Sequence, residues 1–268
     1  MIPKIIHYCW LSNNPLPPDA QECISSWKRQ MPDWEIKLWN TANFDVESVP
    51  FVARAVAARK WAFAADYIRV YALYTEGGVY LDSDVFVRKP MDFVLVNRAF
   101  SAIESYPDLI EKIRQDGIVD ENGNKRQKDT CVHGIQIQAA ILGSEKGHPF
   151  FKDCLDHYQT CGIAFDNNVV PSEDKISPII MAGIAEKYGF RYLNKEQLLS
   201  EGFMLYSSDV FCPQPYLMKK EAVAVHCCSG TWRVAQSGVD RIISNIKIKA
   251  KNILAKVGVR NKAIDKLR

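Results

Sequence analysis

A chain of 268 residues, 47% hydrophobic and 24% charged, has the composition of an ordinary soluble globular protein and the length for a proper core. It carries no repeat of fixed period, no low-complexity tract, no Gly/Ser linker and no apolar run near the roughly 20 residues that span a bilayer. The net charge of +3 divides unevenly: from Arg241 onward nine Lys/Arg face one acid, a net of +8, while the preceding part holds 25 Lys/Arg against 30 Asp/Glu, a net of −5.

Nothing after Met1 reads as a basic n-region leading into an apolar h-region, so a cytoplasmic chain without a secretory signal is expected, and no nucleic-acid partner. The eight cysteines form no CxxC pair, which removes zinc ribbons and fingers and leaves reduced, mostly buried thiols as the expectation.

In chain order, Lys4 to Cys9 is rich in Ile and reads as a first strand, closed by Trp10. Asp19 has the character of an N-cap for a helix running through Trp27 to Gln30. EIKLW (35–39) alternates as a second strand. The segment from Phe51 to Gly78 is the strongest helical stretch, rich in Ala with aromatics at helical spacing, and Gly77 stops it. Val79 to Leu81 is a buried strand leading into Asp82-Ser83-Asp84, and Val85 to Val87 stays extended before Pro90. Ala99 to Ile103 and Gly134 to Leu142 are apolar segments separated by a polar loop (DENGNKRQKD). Helices follow at Pro149 to Tyr158 and Lys175 to Tyr188, and Ala222 to Val225 is a last strand ending at His226. Strands alternating with helices predict an α/β layered fold with a mostly parallel sheet, whose ligands bind at the carboxyl ends of the strands. Asp82 and His226 both fall at such ends.

Asp82 and Asp84 are two apart, so on an extended chain they share a face. Like charges held together need a cation or donors between them, and carboxylate oxygens suit Mg²⁺ or Mn²⁺. The competing reading is a solvated turn, where Asp is common. Asp66 and Arg69 share a helix face, as an intrahelical ion pair or as a phosphate- and sugar-binding pair. His226, in AVHCCSGTW, is structural or a further imidazole ligand. Trp10 is core or a stacking platform for a base.

Taken together, IPKIIHYCW, SWKRQMPDWEIKLWN, KWAFAADYIRVYALYTEGGVYLDSDV, GSEKGHPF, YSSDVFCP and VHCCSGTW resemble glycosyltransferase family 32, in particular its bacterial capsule and exopolysaccharide members, and more distantly the catalytic domain of clostridial glucosylating toxins. The resemblance covers about residues 1–235, leaving 236–268 as a basic amphipathic tail. It implies a GT-A fold, a Rossmann-like sheet flanked by helices, and metal-dependent transfer of a sugar with retention from a nucleotide sugar, UDP favoured over GDP. It implies that Trp10 stacks on the base and that Asp66 and Arg69 hold the donor sugar and phosphates. Asp82 would contact the ribose or the water shell of Mn²⁺ or Mg²⁺, Asp84 would chelate that cation, and His226 would be a further ligand. Trp232, with Ser229 near it, would help close the donor site. Relatives often have two adjacent histidines where this chain has His226-Cys227, and Asn where it has Gln136 and Gln138.

In the tail, Ile243, Ile246, Ala250, Ile253 and Val257 make one apolar stripe among lysines, the pattern of a membrane-surface helix. Capsule-type acceptors are typically lipid-linked, so the expectation is a peripheral position on the inner membrane face through residues 241–268. Two rivals are a haloacid-dehalogenase-like phosphatase, which VYLDSDVF also fits but which needs a downstream acidic motif absent beyond residue 84, and a non-catalytic nucleotide-sugar-binding protein.

Overall fold

The computed structural model describes residues 1–128, 130–161 and 176–228. Ser229, Trp232 and the basic tail lie outside the described residues. The strands are β1 (Ile5–Cys9), β2 (Glu35–Trp39), β3 (Gly78–Leu81), β4 (Val85–Val87), β5 (Ala99–Ser105), β6 (Ile135–Ile137), β7 (Ile141–Ser144), β8 (Gln197–Leu198), β9 (Phe203–Tyr206), β10 (Phe211–Cys212) and β11 (Ala224–His226). The helices are α1 (Pro18–Gln30), α2 (Pro50–Ala57), α3 (Trp61–Glu76), α4 (Pro107–Gln115), α5 (Pro149–Thr160) and α6 (Ser177–Ala185).

The main sheet has the order β2-β1-β3-β7-β5-β9-β8, with β6 added against β5. Its pairings set β1, β2, β3, β5 and β9 in one direction and β6, β7 and β8 against them. This is the α/β class with a mainly parallel central sheet that alternating strands and helices predict. A smaller sheet, β10-β11-β4, joins β4 to two strands from late in the described chain.

Each central strand is buried on both faces, which is why it reads as an unbroken apolar run. Successive side chains then enter two different cores. Ile6 and Tyr8 of β1, Val79 and Leu81 of β3, and Phe100 and Ala102 of β5 meet Ile24 and Trp27 of α1. Cys9, Tyr80, Ala99 and Ile103 point the other way, to Ala64, Ile68 and Leu73 of α3. Helix α3 is buried almost all round, so it carries little amphipathic stripe for a sequence pattern to detect.

Several boundaries differ from the sequence reading. The helical stretch before the glycines is two helices, broken where Arg59 takes a positive φ of 55° and Lys60 N–H closes onto Ala55 O. The break lets Phe51, Val52 and Ala55 fold into the same core as Phe63 and Ala64. Helix α1 begins one residue before Asp19, with Pro18 at its first position, so Asp19 sits in the first turn against the positive helix end. The apolar segment from Gly134 to Leu142 is two short strands, and α4, with Leu109, Ile110 and Ile113 at helical spacing, is a helix the sequence reading did not include. None of the eight cysteines forms a disulfide, and Cys9, Cys23, Cys154 and Cys212 are the buried ones. No helix of the described residues is long and apolar enough to cross a membrane.

Candidate functional site

Gly77 and Gly78 turn the chain from α3 into β3 with φ of 74° and 103°. A Cβ on Gly78 would lie 2.7 Å from Ile5 O, so neither conformation nor space admits a side chain there. Beneath this turn the imidazole of His7 is fully buried. Trp39 Nε1–H donates to its Nδ1 at 3.1 Å, so its Nε2 carries the proton and donates to Gly77 O at 2.7 Å. Burial pushes this imidazole below its ordinary range, consistent with a neutral ring serving as a structural clamp.

Strand β3 ends at Leu81, and Asp82 to Val85 form a tight turn in which Val85 N–H donates to Asp82 O at 2.9 Å. The two aspartates therefore converge through a turn, not through the two-residue pleat of a strand. The chain then enters β4, which pairs antiparallel with β11 so that Val85 faces His226. That pairing, together with Cys227 N–H donating to Asp84 O at 2.9 Å, delivers His226 to the turn. One ligand atom from each of Asp82, Asp84 and His226 lies within 4.8 Å of the others, and His226 Nε2 is 3.3 Å from Asp84 Oδ1. Two carboxylates and an imidazole, all half-buried, make a donor set suited to Mn²⁺ or Mg²⁺. Burial disfavours the imidazolium of His226, yet the hydrogen bonds and charges of Asp84 and Cys228 together outweigh it and raise the group well above its usual range.

Next to this cluster, Arg69 is buried among acceptors. Its Nη2 lies 3.0 Å from Asp66 Oδ1 and 3.4 Å from Asp82 Oδ1, and its Nη1 donates to Ala139 O at 2.7 Å. Tyr80 presents its ring 5.0 Å from the guanidinium and donates its hydroxyl to Asp82 Oδ1 at 2.9 Å. The intrahelical ion pair thus exists, but it is buried and extends to the DxD turn. Burial pushes the Asp66 carboxyl up to about 7 despite Arg69. A buried ionic network of this kind is weak evidence for stability and better evidence for a binding or catalytic task.

Trp10 follows β1 at the same edge, half-buried, its indole N–H donating to Asn14 O at 2.7 Å and its ring packed in part against the core. Ser229 and Trp232 lie outside the described residues.

One acidic residue at this edge escapes the sequence reading. Glu104, near the end of strand β5, receives the Tyr106 hydroxyl and, at 3.2 Å, Gln136 Nε2–H. Burial raises its carboxyl above the ordinary range, and its charged neighbours are His226 and Asp82. The signal for it was present: a carboxylate closing an apolar strand (AFSAIE), the same pattern that drew attention to Asp82. Gln138, directly after β6, is fully buried with neither amide atom hydrogen-bonded to the described residues. Leaving such a group unpaired costs about 1–3 kcal/mol.

Residues 17–101 match the family described as a glycosyltransferase sugar-binding region containing a DXD motif. The match includes Asp66, Arg69, Asp82 and Asp84 and agrees with the resemblance read from the sequence. Two Schizosaccharomyces pombe (strain 972 / ATCC 24843) proteins are similar. Inositol phosphoceramide mannosyltransferase 1 is 31% identical over 110 residues, 37% of this chain and 33% of that protein. Inositol phosphoceramide mannosyltransferase 3 is 27% identical over 153 residues, 56% and 35% respectively. The chain thus spans about a third of the length of these relatives. Among solved structures, the PaToxG glycosyltransferase has a TM-score of 0.46 at 14% identity, covering 70% of each chain. A glycosyltransferase involved in glycosylation of the PBCV-1 major capsid has 0.44 at 14%, covering 90% of this chain and 98% of that one.

Proposed function

We propose that this chain is a divalent-cation-dependent, retaining glycosyltransferase of GT-A type. It moves a sugar from a nucleotide sugar, a UDP-sugar ahead of a GDP-sugar, to a lipid-linked saccharide acceptor in surface polysaccharide synthesis. The observation that carries this reading is the meeting of Asp82 and Asp84, within the stretch that matches the DXD region, with His226 from β11, beside the buried Asp66–Arg69 pair. The two relatives named as mannosyltransferases make mannose the first sugar to test, and the lipid in their names supports an acceptor carried on a lipid.

Asp82, Asp84 and His226 would hold Mn²⁺ or Mg²⁺, which when bound offsets the charge developing on the departing diphosphate. Arg69, fixed by Asp66, Ala139 O and the Tyr80 ring, keeps Asp82 oriented and supplies fixed positive potential to the phosphate side. Asp66 accepts from donor-sugar hydroxyls, and the exposed part of the Trp10 ring supports the base by stacking, worth about 1–3 kcal/mol by analogy with nucleic-acid stacking. Cys227, beside His226, is a poor partner for a hard cation and has no part in the set.

The test is release of nucleoside diphosphate from a panel of UDP- and GDP-sugars, with and without Mn²⁺. Asp84→Ala should abolish release while its thermal unfolding stays cooperative; wild-type rates in that variant would remove the cation site. Release of inorganic phosphate from phosphomonoesters would instead favour the phosphatase, and tight nucleotide-sugar binding without turnover a binding protein.

A further inference from the structure

Glu104 is built as a binding group and not as a member of the cation site. Both of its donors, Tyr106 O–H and Gln136 Nε2–H, converge on the same oxygen, Oε1. Tyr106 is itself held by Gln214 Nε2–H at 3.4 Å, and Gln136 is fixed directly across from Glu104 in the β5–β6 ladder. The carboxylate plane is therefore set by three residues from three segments. Its second oxygen, Oε2, accepts no hydrogen bond from the described residues, and it is not among their fully enclosed unpartnered atoms. An oriented carboxylate with one committed and one open oxygen is an acceptor awaiting a donor.

The surroundings say which donor. No Lys or Arg pairs with Glu104 among the described residues, so the group is not a salt-bridge half. It is not one of the three side chains gathered at ligand distance. Gln138 N–H donates to Ala102 O at 2.9 Å and Asp82 N–H to Ala140 O at 2.9 Å, so the segment that follows Gln136 runs from β5 to the DxD turn and sets Glu104 on the β5–β6 side of the same edge. An anion there would repel a diphosphate, and a neutral hydroxyl is the partner that suits it. Gln136 beside it leaves its amide carbonyl for a second hydroxyl.

We propose that Glu104, positioned by Tyr106 and Gln136, accepts a hydrogen bond from a hydroxyl of the acceptor saccharide and so binds and orients the attacking sugar. This rests on the glycosyltransferase reading and assigns the acceptor side of the site. Donor contacts fall to Asp66, Arg69 and Asp82 across the DxD turn, and Glu104 is separate from them.

The experiment uses the full chain with Mn²⁺, its best nucleotide-sugar donor and the best acceptor from a panel of p-nitrophenyl glycosides. Glu104→Gln keeps shape and removes the charge; Glu104→Asp keeps the charge and withdraws it by one methylene, and serves if the first variant does not fold. Either should raise the acceptor KM about 10- to 100-fold, the loss of one charged hydrogen bond. The dissociation constant for the nucleoside diphosphate with Mn²⁺, by calorimetry, should stay within about twofold. A monodeoxy acceptor lacking the recognised hydroxyl should bind wild type as poorly as the variant does, and the variant should no longer distinguish it from the parent sugar. An unchanged acceptor KM overturns the proposal, and weakened nucleotide binding assigns Glu104 to the donor instead, which overturns it too. A wild type that releases no nucleoside diphosphate from any donor removes the underlying glycosyltransferase reading.

Discussion

Asp66 is the residue at which stability and function should part. It is 8% exposed, its carboxylate 3.0 Å from Arg69, and burial still drives its carboxyl to about 7 against an ordinary 3.8. A folded-state value above the unfolded one means that the folded state holds the proton more tightly. Its contribution is therefore favourable below pH 3.8 and is lost progressively as pH rises to about 7. At about 1.36 kcal/mol per unit, the 3.2-unit difference makes the ionised carboxylate cost about 4 kcal/mol above pH 7. Asp66→Asn imitates the protonated acid. It should stabilise the protein by about 4 kcal/mol at pH 8 and by under about 1 kcal/mol at pH 4. With about 2–4 °C per kcal/mol, Tm should rise by about 8–16 °C at pH 8 and by a few degrees at most at pH 4. Thermal unfolding in EDTA from pH 4 to 8.5 reads this out, and the same variant should lose at least about tenfold in donor kcat/KM. A variant less stable than wild type at pH 8, or a gain independent of pH, would show that the Arg69 ion pair outweighs burial and refute the reasoning.

Burial pushes His7, His148 and His157 below their ordinary 6.5, so the unfolded chain takes up their protons first and stability falls as pH drops below about 6.5. In wild type the Asp66 gain opposes this fall; in Asp66→Asn urea midpoints should decline steadily from pH 6.5 to 5, and a flat profile would contradict the neutral His7 clamp. Gly78→Ala places a Cβ 2.7 Å from Ile5 O at a φ of 103°, so it should lower stability by more than the about 1–3 kcal/mol of backbone strain alone, read as a urea midpoint shift. Deleting 241–268 should abolish sedimentation with anionic liposomes; unchanged sedimentation would end the membrane-docking proposal.

What is local in this protein is legible in its residues. The apolar runs announce strands buried on two faces, the glycine pair ends a helix, and Asp66–Arg69 share a face because three residues make nearly one turn. The carboxylates of the DxD announce a charge in need of compensation wherever they sit. The sequence alone therefore determined the α/β class and the chemistry to look for. Spacing could not say that Asp82 to Asp84 form a turn and that the long helix breaks at Arg59, since both depend on what packs beneath them. Only the β4–β11 ladder brings His226 to Asp84, and only the β5–β6 ladder sets Gln136 against Glu104. Strand pairing joins residues through backbone hydrogen bonds that carry no side-chain signature, so the partners of a site stay hidden until the sheet assembles.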